Sequence, residues 1–242
     1  MKTIYAFVGS RNRNSNTNYF LNQIKKEVYK LDNNIQFEIE TSRKKKFMDT
    51  YEFEEDDKID DIIDIQNKLI SADFIILASP IMVHNISSDM KLLVERCSSW
   101  GHTMRLMGKK SYVITTNYSN GHMSGINYLA KILTTFGTQV IGASNASAFY
   151  PNQLHNTEWL DKTTLEIATR IVSQIHTPVK SNEDLEANFR AVREAAQYYL
   201  DSSLGKNDYQ LNKMQKEELN FWLERDLIGK ESFSDVLSNL SS

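Results

Sequence analysis

The sequence predicts an α/β fold with a doubly wound, five-stranded parallel sheet of strand order 2-1-3-4-5, followed by a helical C-terminal extension. Five short apolar runs alternate along the chain with segments whose apolar residues recur at helical spacing. The first run, Lys2 to Val8, is nearly continuous in hydrophobicity, as expected for a strand buried on both faces. Parallel neighbours need right-handed helical crossovers, so this alternation favours a doubly wound sheet.

Turn and capping residues set the expected bounds of these elements. The expected strands cover residues 2–8, 35–40, 73–79, 110–116 and 139–143. The first helix is expected to begin near Asn16 or Thr17 and to end before Asp32. The other crossover helices are expected at 58–71, after a cap at Ser87 or Ser88, and from Ile126 to a stop at Gly137.

Beyond the fifth strand the pattern becomes helical. The expected elements are a long loop at 144–156, a helix over 159–175 closed by Pro178, a helix opened by a capping box at 181–184, a helical region at 208–227 and a short polar tail. We therefore expect residues 1–178 to form the sheet-containing domain and residues 179–242 to form the helical extension.

Composition narrows the classes of partner. A net charge of -3 and a pI of about 6.0 give no electrostatic reason to expect nucleic acid as a partner. The one basic cluster, Arg43 to Lys46, is followed by the acidic Glu52 to Asp57. We interpret this pair as a solvated surface segment, with a docking site as the alternative.

The chain has a single cysteine, Cys97, so neither an intramolecular disulfide nor a cysteine-based metal site is expected. Cys97 falls on an apolar helical stripe, which favours a buried structural thiol over a redox one. The histidines His102, His122 and His155 lack ligand spacing, so no metal site is expected. No stretch is apolar enough to span a membrane and Met1 precedes no signal peptide, so a cytoplasmic protein is expected.

A polar loop from Phe7 to Thr17 separates the first strand from the first helix. Backbone amides at the start of a helix point outward at the positive end of its dipole, so such a loop can hold a phosphate. Hydroxyl and guanidinium groups strengthen this interpretation, and they belong to Ser10, Ser15, Thr17, Arg11 and Arg13. An ordinary N-capped turn is the alternative interpretation.

Three loops are expected at the carboxyl edge of the sheet, where open α/β sheets bind ligands. They are residues 9–17, 79–85 and 115–121, after the first, third and fourth strands. In the strand order 2-1-3-4-5 the first and third strands flank the point where the order reverses. The first two loops are therefore expected side by side.

Two motifs carry a resemblance to a known family. Gly9 to Thr17 resembles the phosphate loop of the flavodoxin-like, NAD(P)H-dependent FMN reductases, including the cluster-free relatives of iron-sulfur flavoproteins. The stretch from Ala72 to Cys97 is similar to that family's Ala-Asp strand, its second loop and the helix that follows. The resemblance covers roughly residues 1–145 and implies a flavodoxin-like fold.

The resemblance also implies FMN as cofactor and NADPH or NADH as reductant. Contacts to the FMN phosphate are implied for the first loop, at Ser10, Arg11, Arg13, Ser15, Asn16 and Thr17. Contacts along the ribityl chain and the flavin ring are implied for Pro80, Ile81, Met82, Val83 and Asn85. The third loop would approach the ring's pyrimidine edge through Thr115, Thr116, Asn117, Tyr118 and Gly121.

The sequence departs from the family pattern in the second loop. Met82 and Val83 replace an aromatic pair, and His84 replaces a glycine. His84 is the one titratable side chain expected near the flavin, either as a proton or hydrogen-bond donor to substrate or as a partly exposed loop histidine. Tyr118 either stacks on the ring or packs over the sheet edge. Residues 41–57 lack the cysteines of the iron-sulfur relatives, so no cluster is expected.

The implied function is an FMN-dependent NAD(P)H oxidoreductase that passes electrons through FMN to a quinone, a flavin, or another small or peptide acceptor. The resemblance further implies a homodimer or a higher homo-oligomer. Two other classes of function are alternatives. One is an FMN-binding electron carrier or redox-responsive interaction protein without efficient NAD(P)H turnover, and the other is a binding module that has lost its cofactor.

Overall fold

The computed structural model of the protein describes residues 1–46, 48 and 60–240. Its sheet has the order β2-β1-β3-β5-β6, with the two-residue β4 paired antiparallel to β3 outside this path. The strands are β1 Thr3–Val8, β2 Gln36–Thr41, β3 Phe74–Met82, β4 Asn85–Ile86, β5 Lys110–Asn117 and β6 Gln139–Ser147. Counted over the five long strands, this is the order 2-1-3-4-5 that the sequence predicts.

The centre of the sheet is parallel and buried. β1 runs parallel to β2 and β3, with Phe7 opposite Leu77, and β3 runs parallel to β5. Every residue of β1 after Thr3 is buried. On one side of the sheet the helix Asn16–Leu31 packs against the helix Thr157–Ile175, where Phe20 stacks on Trp159 with ring centroids 6.2 Å apart. Burial on both faces explains why β1 is nearly continuous in hydrophobicity.

Nine described α-helices accompany the sheet, and two short 3-10 turns lie at Ser42–Lys44 and Gln153–His155. The helices are α1 Asn16–Leu31, α2 Ile62–Ser71, α3 Ser88–Arg96, α4 Trp100–Thr103, α5 His122–Thr135, α6 Thr157–Ile175, α7 Glu183–Ser203, α8 Lys213–Glu224 and α9 Phe233–Leu240. The side chain of Ser15 caps α1 and that of Ser87 caps α3. Part of the expected start of α2, at residues 58 and 59, falls outside the described residues.

Two strands are longer than the sequence predicts. β3 continues to Met82, beyond the expected end at Ser79, because it gains the antiparallel partner β4. β6 continues to Ser147, so the first residues of the expected loop at 144–156 belong to a strand. The polar side chain of Ser144 is accommodated there by a 2.8 Å hydrogen bond to the hydroxyl of Tyr112.

Two helical predictions are wrong in detail. The cap of α7 is Asn182, whose side chain accepts from the amide of Leu185, and not the expected Ser181. The expected polar tail contains α9, which buries Phe233, Val236 and Leu237 on one face. These three apolar residues follow helical spacing, and their burial outweighs the polarity of the surrounding serines and asparagine.

Internal contacts divide the chain into two compact units. The sheet unit comprises Met1–Cys97, Lys110–Lys131 and Val140–Thr177. The helical unit comprises Ser98–Lys109, Ile132–Gln139 and Pro178–Ser242. The helical unit thus combines the C-terminal helices with two short segments from earlier in the chain.

Aromatic side chains form the core of the helical unit. The ring of Phe189 lies 5.6 Å from that of Trp222 and 5.9 Å from that of Phe233. The indole N–H of Trp222 donates to the carbonyl of His102 at 2.9 Å, which satisfies the buried polar end of this side chain. Helices α7, α8 and α9 therefore share one core.

Cys97 is buried in the sheet unit, with 1% of its surface exposed. Burial raises the pKa of its thiol to about 12, so it is neutral near pH 7. Because the thiolate is the nucleophile, this favours the structural interpretation of Cys97. None of the described helices combines the length and apolarity needed to cross a bilayer.

Candidate functional site

Three loops meet at the carboxyl edge of the sheet, after β1, β3 and β5. The amide of Gly9 donates to the carbonyl of Ala78 at 2.9 Å, which joins the first loop to β3. Thr17, in the first turn of α1, shares a 2.6 Å hydroxyl hydrogen bond with Thr116, near the end of β5. Both threonines are buried. The structure thus brings together the loop residues that were predicted at the point where the strand order reverses.

The start of α1 presents unused hydrogen-bond donors. Ser15 caps the helix, and its Oγ accepts from the amide of Asn18 at 3.2 Å. The amides of Ser15, Asn16 and Thr17 have no acceptor among the described residues. The first turn of α1 contains no acidic residue. Three free amides at the positive end of the helix dipole fit an anion.

Gly9 brings the first loop against the start of α3. A Cβ at Gly9 would lie 2.7 Å from the Cβ of Met90 and 3.0 Å from its backbone nitrogen. Ser87 accepts from the amide of Met90 at 3.2 Å and donates its hydroxyl to the carbonyl of Gly9 at 2.6 Å. The first loop and the start of α3 are therefore held at a fixed separation that leaves no room for a side chain.

The two arginines of the first loop differ in their surroundings. Arg11 forms a 2.9 Å ion pair with Asp89 of α3, and Asp89 also accepts from the hydroxyl of Ser42 at 2.8 Å. Arg13 is exposed and has no carboxylate partner in the ranges that the structure describes. The hydroxyl oxygen of Ser10 accepts from the amide of Asn12 at 3.4 Å. Arg13 therefore contributes the positive charge that this loop leaves uncompensated.

The second loop, expected without secondary structure of its own, is a tight β-hairpin. Met82 pairs with Asn85, so Val83 and His84 alone make the turn. Both have positive φ angles, 48° and 63°, as two-residue hairpin turns of type I′ require. For residues other than glycine this conformation costs about 1–2 kcal/mol each. Val83 is 96% exposed, so a strained, β-branched apolar residue forms the tip.

The remaining predicted residues of this hairpin lie close to the sheet. Pro80 and Ile81 are partly buried within β3, and Pro80 is in register with Thr116 of β5. The side-chain oxygen of Asn85 accepts from the amide of Ile86 at 2.8 Å. Asn85 therefore uses its acceptor locally and keeps its side-chain N–H₂ group for other partners.

The third loop is fixed by a chain of amide hydrogen bonds. The hydroxyl of Thr115 donates to the side-chain oxygen of Asn145 at 2.9 Å, and the N–H₂ group of Asn145 donates to Asn117 at 3.0 Å. The N–H₂ group of Asn117 donates in turn to the carbonyl of Asn120 at 2.9 Å. The predicted residues Thr115 and Asn117 are thus buried members of this network, and their side chains position the loop.

Exposed apolar side chains surround the same edge, and we call them the edge patch. Tyr118 is 66% exposed and lies parallel to Phe149, with ring centroids 4.7 Å apart. Gly121 packs against His84, which connects the third loop with the hairpin. The patch consists of Met82, Val83, Tyr118, Met123, Phe149 and Tyr150. Exposed apolar groups in this number are typical of a binding surface.

A polar cavity of about 350 Å³ opens beside the third loop. Its lining includes Ser119, His122, Asn145 and Gln153. The Nδ1 atom of His122 is buried without a hydrogen-bond partner among the described residues. This cavity offers polar groups next to the apolar edge patch.

Several of these residues were not predicted from the sequence. Asp89 was hidden in an amphipathic helix, and its two contacts, to Arg11 and Ser42, come from distant segments. Asn145 and Phe149 were assigned to a loop, although Asn145 lies in β6. The proximity of Phe149 to Tyr118 depends on how β6 follows β5, for which the local sequence gives no signal.

Comparisons with known proteins place the chain among flavoproteins. The family model described as NADPH-dependent FMN reductase matches residues 2–151 of the chain. An iron-sulfur flavoprotein from Archaeoglobus fulgidus is 23% identical over 173 residues, which cover 70% of this chain and 72% of that relative. The match to the family model spans all three loops of the carboxyl edge.

Solved structures share the fold. The apo form of the NADH:FMN oxidoreductase EMOB matches with a TM-score of 0.57 at 17% identity, over 76% of this chain and 94% of that one. RosB with a bound intermediate, 8-demethyl-8-formylriboflavin-5'-phosphate, matches with a TM-score of 0.52 at 15% identity, over 88% and 91% of the chains. These likenesses confirm the flavodoxin-like fold that the sequence predicts.

Replacing Gly121 with alanine is expected to destabilise the protein more than the same change at Gly205. Both glycines have positive φ angles, 78° and 70°. Alanine is strained in this left-handed conformation, so both variants lose stability for that reason. A Cβ at Gly121 would also lie 2.7 Å from Nδ1 of His84, whereas nothing lies within 4 Å at Gly205. Urea unfolding followed by circular dichroism measures the difference, expected at about 1 kcal/mol or more. Equal losses would mean that the contact with His84 carries no constraint.

Proposed function

Since the chain belongs to the family of NADPH-dependent FMN reductases, we propose that it binds FMN at the carboxyl edge of its sheet and acts as an NAD(P)H-dependent oxidoreductase. The observation that carries the proposal is the start of α1, where the amides of Ser15, Asn16 and Thr17 have no acceptor among the described residues. A phosphate monoester supplies the acceptors that these donors lack. Arg13 adds an uncompensated positive charge to the same loop.

The donor set of the first loop fits the phosphate of FMN. The cap by Ser15 and the bond between Thr17 and Thr116 fix the first turn of α1, so the free amides are held in place before the ligand arrives. Preorganised donors lose little conformational freedom on binding. The hydroxyl of Thr17 is already bonded to Thr116, so we assign phosphate binding to the amides of Ser15, Asn16 and Thr17 and to the guanidinium of Arg13.

The edge patch supports a place for the flavin ring. Pro80 and Ile81 at the end of β3 and Met82 and Val83 in the hairpin would contact the ribityl chain and one face of the ring. Tyr118, stacked on Phe149, offers an aromatic surface beside the third loop. Apolar and aromatic walls with a few polar groups are typical of cofactor sites.

Bound FMN supplies the chemistry of hydride acceptance from NADPH or NADH and of electron donation to a second substrate. The chain binds the phosphate, orients the ring between the hairpin and the third loop, and excludes water through the edge patch. The amide network of Thr115, Asn145 and Asn117 holds the backbone of the third loop, whose amides are suited to the ring's pyrimidine edge. His84, exposed at the hairpin, is suited to donate a proton or a hydrogen bond to the second substrate.

The second substrate would occupy the space above the edge patch. The polar cavity lined by Ser119, His122 and Asn145 offers donors and acceptors for a small molecule or for part of a peptide. The exposed apolar side chains of the patch would also be covered by a second copy of the chain, which supports a homodimer. The exposure of the hairpin tip also favours one alternative function. Such a surface suits a protein redox partner, as in an electron carrier without efficient NAD(P)H turnover.

Changing Asn16 to proline is expected to weaken FMN binding by about tenfold or more and to leave riboflavin binding unchanged. Proline is tolerated at the first position of a helix, where the amide N–H is the only backbone group that it removes. Fluorescence titration of the apoprotein with FMN and with riboflavin measures the two affinities.

Two variants serve as controls for this titration. Glu183→Pro makes the same change at the first position of α7 and should leave both affinities unaltered. Asn16→Ala removes the side chain but keeps the amide, so it separates the two contributions. Equal weakening of FMN and riboflavin in Asn16→Pro would place the phosphate elsewhere.

Anaerobic mixing of the FMN-loaded protein with NADPH or NADH is expected to bleach the yellow flavin absorbance within seconds. The bleached protein should regain its colour when a quinone is added, because electrons then leave the flavin. Rapid-mixing absorbance measures both steps. Reduction by dithionite but by neither nicotinamide would favour the electron carrier over the reductase.

A further inference from the structure

The helical unit contains a cavity of about 220 Å³. Its walls come from α7, from α8 and from His102 of α4, and all of them belong to the helical unit. The lining residues are His102, Ala191, Val192, Ala195, Ala196, Tyr199, Glu218 and Trp222. A cavity of about 150 Å³ in a protein core already admits benzene, so this one has room for a small organic molecule.

Glu218 is the one acidic residue in this lining, and its side chain is only 5% exposed. Its Oε1 atom lies 2.9 Å from Nδ1 of His102. Its Oε2 atom is buried and has no hydrogen-bond partner among the described residues. A buried carboxylate oxygen without a donor is costly, so a ligand that brings a donor gains that free energy on binding.

The aromatic walls offer a ligand mainly apolar surface. The indole N–H of Trp222 is used by the carbonyl of His102, whereas the hydroxyl of Tyr199 accepts from Gln215 at 3.4 Å and keeps its own O–H as a donor. Ala191 and Ala195 are exposed and small, so α7 leaves the cavity open along one side. The cavity therefore presents apolar and partly aromatic walls, with a free acceptor oxygen at Glu218.

We propose that this cavity binds a small organic ammonium ion with an aromatic or branched alkyl body, with its charged group against Glu218. An ionised carboxylate only accepts hydrogen bonds, and an ammonium group is the strongest compact donor that can reach it. Aromatic faces such as that of Trp222 also attract cations. An anion or a purely apolar ligand would leave the free oxygen of Glu218 unpaired. The proposal is independent of the flavin site.

Calorimetric titration of the protein with 2-phenylethylamine and with its neutral analogue 2-phenylethanol tests the proposal. The amine is expected to bind about tenfold or more tightly than the alcohol, because a charged donor to a carboxylate is worth more than a neutral one. In Glu218→Gln, which keeps the size of the side chain, this preference should vanish. In Glu217→Gln, a neighbouring exposed glutamate, it should persist.

A second variant tests the cavity itself. Ala195→Phe places a large side chain at an open position of the lining and should abolish binding of both ligands, with an unchanged far-ultraviolet circular dichroism spectrum. The proposal is overturned if the wild type gives no saturable heat with the amine. It is equally overturned if wild type and Glu218→Gln bind the amine with the same affinity.

Discussion

The close approach of Gly9 to the first turn of α3 fixes the geometry of the carboxyl edge. At this position β1 ends, the first loop begins and Ser87 both caps α3 and bonds to the carbonyl of Gly9. A Cβ at Gly9 would clash with Met90, so the absence of a side chain is a steric requirement. Because α3 begins directly after the hairpin, this contact ties the first loop to the segment that leads out of the hairpin.

Two surfaces of opposite character follow from that contact. On one side, the start of α1 presents free amides, and the cap by Ser15 and the bond from Thr17 to Thr116 stabilise this turn. On the other side, the strained tip at Val83 is apolar and solvent-exposed. A ligand with an anionic tail and a flat apolar ring satisfies both surfaces at once, and this combination distinguishes FMN from a simple phosphate or a simple aromatic compound.

The sequence predicted the sheet order and the first loop well, because buried strands and helix caps leave local signals. The hairpin could not be predicted, since valine and histidine are poor residues for positive φ angles and adopt them here only through tertiary pairing of Met82 with Asn85. Asn145 reaches the site through a long-range contact with Thr115 that leaves no local pattern. Helix α9 did carry a signal, the spacing of its buried residues from Phe233 onward, which the polar context obscured.

The central claim is that the free amides of Ser15, Asn16 and Thr17 hold the phosphate of FMN. Amide hydrogen exchange, followed residue by residue with and without FMN, tests it most directly. We expect FMN to slow exchange at these three amides, and riboflavin, which lacks the phosphate, to leave them unchanged. Protection by FMN confined to the third loop, with unaltered exchange at the start of α1, would contradict the account.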